Sequence, residues 1–71
     1  MTLAQEVGQR LKQARKEKGI TQTDAGKELN QVQQAYAKYE SGQIQLDYEK
    51  IVKLCKLFDC SADYLFGLSD I

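Results

Sequence analysis

Residues 20–43 read ITQTDAGKELNQVQQAYAKYESGQ and contain two short helical segments. Thr21 can cap the first segment because its side-chain oxygen can accept from a free backbone N–H of the first turn. Asn30 follows that segment and readily adopts the left-handed conformation of a turn. The second segment covers about residues 32–41 and stops at Gly42. The stretch therefore predicts two helices joined by a tight turn of about four residues.

Gly26 lies in the interior of the first of these helices. A glycine there costs about 1 kcal/mol relative to alanine, so it needs a compensating reason. Two helices that cross closely need a residue without a side chain where they meet, and we predict such a contact at Gly26. Residues 22–39 thus show the pattern of a helix-turn-helix, a unit that can place its second helix in the major groove of DNA.

The flanking segments also have helical spacing. The first segment follows Thr2, which can form a capping box with Gln5. Two later segments can be capped by Asp47 and Ser61. The positions expected to face the core are Leu3, Val7, Leu11 and Ala14 in the first segment, Tyr48, Ile51, Leu54, Cys55 and Phe58 in the fourth, and at least one of Leu65 and Phe66 in the fifth. No sustained period-two alternation indicates a strand, so the predicted fold class is all-α, with five helices.

The length of 71 residues suits one small domain, which we expect to span residues 1–71. No signal-peptide pattern and no membrane-spanning run is present, which predicts a cytoplasmic protein with no membrane contact. Cys55 and Cys60 are the two cysteines, and histidine is absent. The usual four-ligand zinc patterns are therefore excluded, and we expect two buried free thiols with no metal and no cofactor.

Charge is unevenly distributed along the chain, although ten basic residues balance ten acidic ones. Residues 1–18 hold five basic and two acidic residues, a balance of +3, whereas residues 43–71 hold three basic and five acidic ones, a balance of −2. A nucleic-acid-binding protein is expected to be basic as a whole. The neutral total does not meet this expectation, and only the basic segment of residues 1–18 favours a nucleic-acid partner.

The third segment separates its side chains into two faces when its residues are placed 100° apart. One face carries Val32, Tyr36 and Tyr39, and the other carries Gln33, Gln34, Ala37 and Lys38. Glutamine can form a bidentate pair with adenine, an alanine methyl can touch a thymine methyl, and lysine can reach a guanine or a phosphate. From this pattern alone, an ordinary solvated helix face explains the composition slightly better than DNA contact does.

Four stretches resemble the Cro/CI-type, lambda-repressor-like family of helix-turn-helix DNA-binding domains. They are RKEKG at residues 15–19, ITQTDAGKEL at residues 20–29, YESG at residues 39–42 and SADYLFG at residues 61–67. Their spacing needs no insertion or deletion, and the similarity covers about residues 3–68. The resemblance implies a compact five-helix domain and a repressor-like transcriptional regulator that reads the major groove of double-stranded DNA through the third helix.

The resemblance also implies roles for particular side chains. Gln22 would hold a phosphate and brace a side chain of the third helix. Arg15 and Glu40 would form an internal ion pair, and Arg10 is a weaker phosphate candidate. The base edges would be read by Gln33, Gln34 and Lys38, with Ala37 near the groove floor, and further backbone contacts would come from Thr23, Gln31 and Gln43.

Three positions depart from the family pattern. Gln31 and Val32 stand where a hydrophobic residue followed by a Ser or Thr cap is usual, which shifts the start of the third helix by up to one residue. Tyr36 replaces an isoleucine, and Asp59 replaces a glycine.

The partners expected from this reading are duplex DNA and a second copy of the chain. One recognition helix covers too few base pairs for useful selectivity, so we expect a homodimer on a palindromic operator with half-sites roughly 34 Å apart. The contact between copies is expected in the segment after Gly42.

Two alternatives are weighed against DNA binding. An enzyme is disfavoured because the chain lacks histidine, a nucleophile beside a base and a glycine-rich phosphate loop, and no small-molecule substrate is expected. A protein-interaction module, or an antitoxin-type protein combining both activities, would use the apolar surface of residues 64–68.

Overall fold

The computed structural model describes residues 1–70, which form five helices and no strand. The helices are α1 (Leu3–Glu17), α2 (Gln22–Glu28), α3 (Gln33–Ser41), α4 (Tyr48–Phe58) and α5 (Ala62–Phe66). The predicted all-α class with five helices is confirmed. None of these helices combines the length and the apolar composition that a bilayer crossing requires.

Side-chain caps begin four of the five helices, as the sequence predicts. Thr2 accepts from the Gln5 N–H at 3.1 Å, and the Gln5 side chain accepts from the Thr2 N–H at 2.8 Å, which completes the predicted capping box. Thr21, Asp47 and Ser61 cap α2, α4 and α5 in the same way. Each cap satisfies a backbone donor that the first turn of a helix leaves without an internal partner.

The third helix begins one residue later than predicted. Val32 is its N-cap residue, in extended backbone conformation, and makes no capping hydrogen bond because its side chain has no acceptor. The expectation that Val32 faces inward with the tyrosines is wrong, since its side chain is 68% exposed. A residue outside the helix does not follow the 100° rotation from which that expectation was derived.

The core lies between α1, α3, α4 and α5, with α2 packed on α3 and α4. Its buried hydrophobic members are Leu11, Ala14, Ala25, Leu29, Tyr36, Tyr39, Leu54, Phe58 and Leu65. Tyr48 was expected there and is instead 88% exposed, because it occupies the first turn of α4, beyond the packed part of that helix. Cys55 and Cys60 are free thiols, but they are half-buried and lie at the edge of the core.

Two glycines allow close backbone approach between elements. A Cβ added to Gly26 would lie 2.7 Å from the Gln31 carbonyl oxygen, so the predicted close contact is present, with the turn rather than with α3. Gly8, which the sequence analysis passed over, lies where α1 crosses α3. A Cβ there would overlap the Glu40 carbonyl oxygen and lie 2.6 Å from that of Tyr39. The close approach of α1 and α3 therefore requires glycine at position 8.

We predict that Gly8→Ala destabilises the protein, although alanine is favoured by about 1 kcal/mol within a helix. The added methyl would push on the backbone of α3, and overpacking of this kind costs about 1–3 kcal/mol or more. Urea denaturation followed by circular dichroism measures the net change. Gln9→Ala, an exposed position on the same helix, is the control and should stay within about 0.5 kcal/mol of the parent. A Gly8→Ala variant as stable as the parent would contradict the close contact.

Candidate nucleic-acid interface

The third helix presents a polar side to solvent and its tyrosines to the core. Tyr36 is fully buried and Tyr39 is 7% exposed, with ring centroids 6.2 Å apart in an edge-to-face arrangement. Gln34 and Lys38 are exposed, whereas the other two predicted readers, Gln33 and Ala37, are partly exposed. The four side chains on which the interpretation depends therefore lie on the outward side of α3.

Gln33 and Gln22 are joined by a hydrogen bond across the two helices. The Gln33 Nε2 donates to the Gln22 Oε1 at 2.6 Å, and the Gln22 Nε2 donates to the Glu40 Oε1 at 3.0 Å. Gln22 is the first residue of α2, so this chain of bonds connects the start of α2 to both ends of α3. The Gln33 amide is consequently held in one orientation before any ligand arrives.

Glu40 is held from the other side by Arg15. The Arg15 Nε donates to Glu40 Oε2 at 2.7 Å and its Nη2 to Glu40 Oε1 at 3.2 Å, while Nη1 donates to the Ile20 carbonyl at 2.8 Å. The geometry is that of a bidentate guanidinium–carboxylate pair. Both residues are buried, with each 8% exposed, so the pair expected from the family resemblance is formed in the interior.

Burial and hydrogen bonding act in opposite directions on the Glu40 carboxyl. Burial raises its pKa, but the hydrogen bonds from Arg15, Tyr36 and Gln22 together with the Arg15 charge bring the pKa below its usual value. The hydrogen bond to Glu40 is the main reason that the pKa of Arg15 is raised. The pair is therefore charged on both sides at neutral pH, and it stabilises the folded state above the range in which Glu40 takes up a proton.

Tyr36 lies beside this pair, one helical turn before Glu40. Burial raises the pKa of its phenol, and the Glu40 carboxylate raises it further, so the ring stays uncharged. Its buried hydroxyl faces the Glu40 carboxylate, and their interaction also lowers the pKa of Glu40. The spacing of four residues between Tyr36 and Glu40 is the sequence signal that could have indicated this neighbourhood.

The other predicted contact residues are placed differently from one another. Thr23 and Gln43 are exposed at the ends of α2 and α3. Gln31 is half-buried, and its Nε2 donates to the Tyr39 hydroxyl at 3.0 Å. Arg10 points elsewhere, because its Nη1 donates to the Leu65 carbonyl at 3.3 Å and its guanidinium packs against Gly67. Arg10 therefore contacts the end of α5 and lies away from the outward side of α3.

Val32 belongs to the exposed surface around the candidate interface, although the sequence pattern predicted it to face inward. It precedes Gln33 at the outer tip of α3, and its exposed isopropyl group stands beside the outward glutamines. The apparent exchange of Gln31 and Val32 relative to the family pattern was the available signal. Because the third helix starts one residue later than expected, that exchange leaves an apolar group in solvent at this tip.

We predict that Glu40→Gln lowers the free energy of unfolding by on the order of 3 kcal/mol at neutral pH, because it leaves the buried Arg15 charge unpaired. The pKa of Glu40 is lower in the folded state, so its contribution is complete above its ordinary value of 4.5 and is lost as pH falls below that value. As pH falls below 4.5, the free energy of unfolding of the parent should decrease more steeply than that of Glu40→Gln. Glu28→Gln removes an exposed carboxylate and is the control. Equal acid dependence of the parent and Glu40→Gln would contradict this account.

Comparisons with known proteins agree with the geometry. A family model described as "Helix-turn-helix" matches residues 11–65, which include α2, the turn and α3. No solved structure matches the chain.

Three curated proteins of Bacillus subtilis (strain 168) are similar to the chain. The HTH-type transcriptional regulator ImmR is 35% identical over 65 residues, covering 92% of this chain and 51% of ImmR. The uncharacterized HTH-type transcriptional regulator YobD is 34% identical over 62 residues, covering 87% of this chain and 55% of YobD. The SPbeta prophage-derived uncharacterized HTH-type transcriptional regulator YonR is 36% identical, covering 82% of this chain and 54% of YonR. The chain spans about half the length of these relatives. Together with the helix-turn-helix formed by α2 and α3, the matches show that the chain belongs to the Cro/CI-like helix-turn-helix family.

Proposed function

We propose that the protein is a sequence-specific, repressor-like transcriptional regulator that reads double-stranded DNA by placing α3 in the major groove. The observation that carries the proposal is the outward, amide-rich side of α3, held in place by the bonds from Gln33 through Gln22 to Glu40. The names of the curated relatives support the same function. In this proposal residues 1–71 act as one DNA-binding unit, located in the cytoplasm, with no catalytic activity, cofactor, metal or small-molecule substrate.

Gln33 is suited to reading adenine. Its amide nitrogen carries two hydrogens, of which one is bound to the Gln22 oxygen, so the second hydrogen and the Gln33 oxygen are available together. Adenine presents an acceptor at N7 and a donor at N6 in the major groove, which match that remaining pair. Gln22 thereby orients the Gln33 amide for a bidentate contact and reduces the entropy lost on binding.

The remaining side chains would contact either the DNA bases or the DNA phosphates. Gln34 and Lys38 are exposed and would reach further base edges, while the Ala37 methyl and the exposed Val32 side chain would meet thymine methyl groups. The phosphate contacts would come from the second amide hydrogen of Gln22, from Thr23 and Gln43, and from Gln31 after it releases the Tyr39 hydroxyl.

A second copy of the chain is part of the proposal. The described segment after Gly42 carries exposed apolar side chains, among them Ile44, Tyr48 and Leu68, which a partner copy would cover. Two copies related by a two-fold axis would present two α3 helices to a palindromic operator. Phosphate contacts would set the position of each copy, and sequence selectivity would come from the base contacts of α3.

We predict that Gln33→Ala and Gln34→Ala each weaken binding to the operator by about 1–3 kcal/mol and leave binding to random duplex nearly unchanged. The operator is first obtained by selecting bound duplexes from a random pool, and affinities are then measured by fluorescence anisotropy. Gln13→Ala, an exposed glutamine on α1, is the matched control. Equal loss on operator and random duplex would mean that these glutamines contact phosphates instead of bases.

The selected duplexes also test the proposed symmetry. We expect a palindrome whose half-site centres are roughly 34 Å apart, or about one turn of DNA, bound by two copies. Affinity should fall as salt rises, with a logarithmic slope of about −0.9 per phosphate contacted. A single copy on an asymmetric site would contradict the homodimer, and salt-independent or absent binding to every duplex would favour the protein-interaction or antitoxin-type alternative.

A further inference from the structure

The two cysteines flank the turn that ends α4. Cys55 lies in the last turn of that helix, and Cys60 is the second residue after its final residue, Phe58. Between them Asp59 adopts the left-handed conformation with φ 53°, and the Cys60 N–H donates to the Cys55 carbonyl at 3.0 Å. A hydrogen bond that spans six residues in this way is typical of helix ends with a left-handed residue, and the two residues that it joins frequently make an apolar contact.

The closure brings the two cysteines within the range of a disulfide. With standard bond lengths, the 3.0 Å hydrogen bond keeps their Cα atoms within about 7 Å of each other. Disulfides in proteins join Cα atoms roughly 4.4–6.8 Å apart. Neither thiol is already bridged, and each changes the pKa of the other, as expected of neighbouring side chains.

Both thiols are half-buried, and Cys60 has the clearer route to solvent. Cys60 borders an open cavity whose other titratable lining groups are Glu17, Lys18, Asp59, Tyr64 and Asp70. Lys18 and Asp59 pair at 3.3 Å across its rim, and both of their side chains are largely exposed. A small reagent can therefore reach Cys60, while Cys55 is the neighbour that would complete the reaction.

We propose that Cys55 and Cys60 form a reversible intramolecular disulfide site, oxidised by a low-molecular-weight disulfide of the glutathione class. The Cys60 thiolate, after losing its proton to water, attacks one sulfur of the oxidant and expels one thiolate. Cys55, deprotonated in turn, attacks the Cys60 sulfur of the mixed disulfide and expels the second thiolate. The protein loses two electrons and two protons, and the oxidant becomes two thiols.

The bond closes a small ring around the Asp59 turn and leaves the side chains of α3 untouched. Burial raises the pKa of both thiols, that of Cys60 to about 12, so both carry protons at neutral pH and the exchange is slow. Once formed, the bridge restricts the unfolded chain and should raise the melting temperature by on the order of 5–10 °C. The inference does not depend on the proposed function, because it concerns the end of α4 alone.

The test uses the full chain incubated with mixtures of oxidised and reduced glutathione, followed by intact mass spectrometry and thiol titration. We expect the parent to lose two hydrogens and both free thiols with no bound glutathione, at a rate independent of protein concentration, and to recover both thiols on reduction. Peptide mapping should place the bond between positions 55 and 60.

Two single variants separate the steps. Cys55→Ser should stop at a stable glutathione adduct on Cys60, whereas Cys60→Ser should react at least tenfold more slowly because Cys55 does not border the cavity. Circular dichroism verifies that each variant is folded. Stable adducts on the parent, dimers linked through sulfur, or an oxidised parent with no rise in melting temperature would each overturn the proposal.

Discussion

The buried ion pair between Arg15 and Glu40 is the interaction on which the arrangement of the candidate interface depends. It connects α1 to the end of α3 with two hydrogen bonds, at 2.7 and 3.2 Å, and both residues are buried. A buried pair of this kind contributes little net stability compared with apolar packing, but breaking it is costly because one charge is left alone. The pair positions the interface side chains, because Gln22 donates a hydrogen bond to the same carboxylate and accepts one from Gln33.

The backbone of Glu40 is constrained as closely as its side chain. Gly8 lets α1 approach the Glu40 carbonyl, while seven residues further along the same helix Arg15 holds the carboxylate. Two contacts on one residue, from two turns of α1, fix both the distance between α1 and α3 and the rotation of α3 about its axis. The outward position of Gln34 and Lys38 follows from that rotation.

Local signals in the sequence were sufficient to predict the helices, because caps and left-handed turns depend on residues close together in the chain. Thr2, Thr21, Asp47 and Ser61 all cap as expected. Val32 and Tyr48 were misplaced because both stand at helix starts, where periodicity does not decide which way a side chain points. Contacts between residues far apart in the chain were harder to predict. Residues 25 positions apart, such as Arg15 and Glu40, could be paired only through the family resemblance, and the partner of Gly8 depends on how two helices cross.

The exposed valine at the start of α3 has a consequence for motion. Among the five described helices, α3 is the one whose first turn lacks a side-chain cap, and its backbone amide protons should exchange with solvent sooner than those of α1. A DNA phosphate at this end of the helix would accept from those backbone N–H groups, whereas the Gln33 side chain is already held by its hydrogen bond to Gln22.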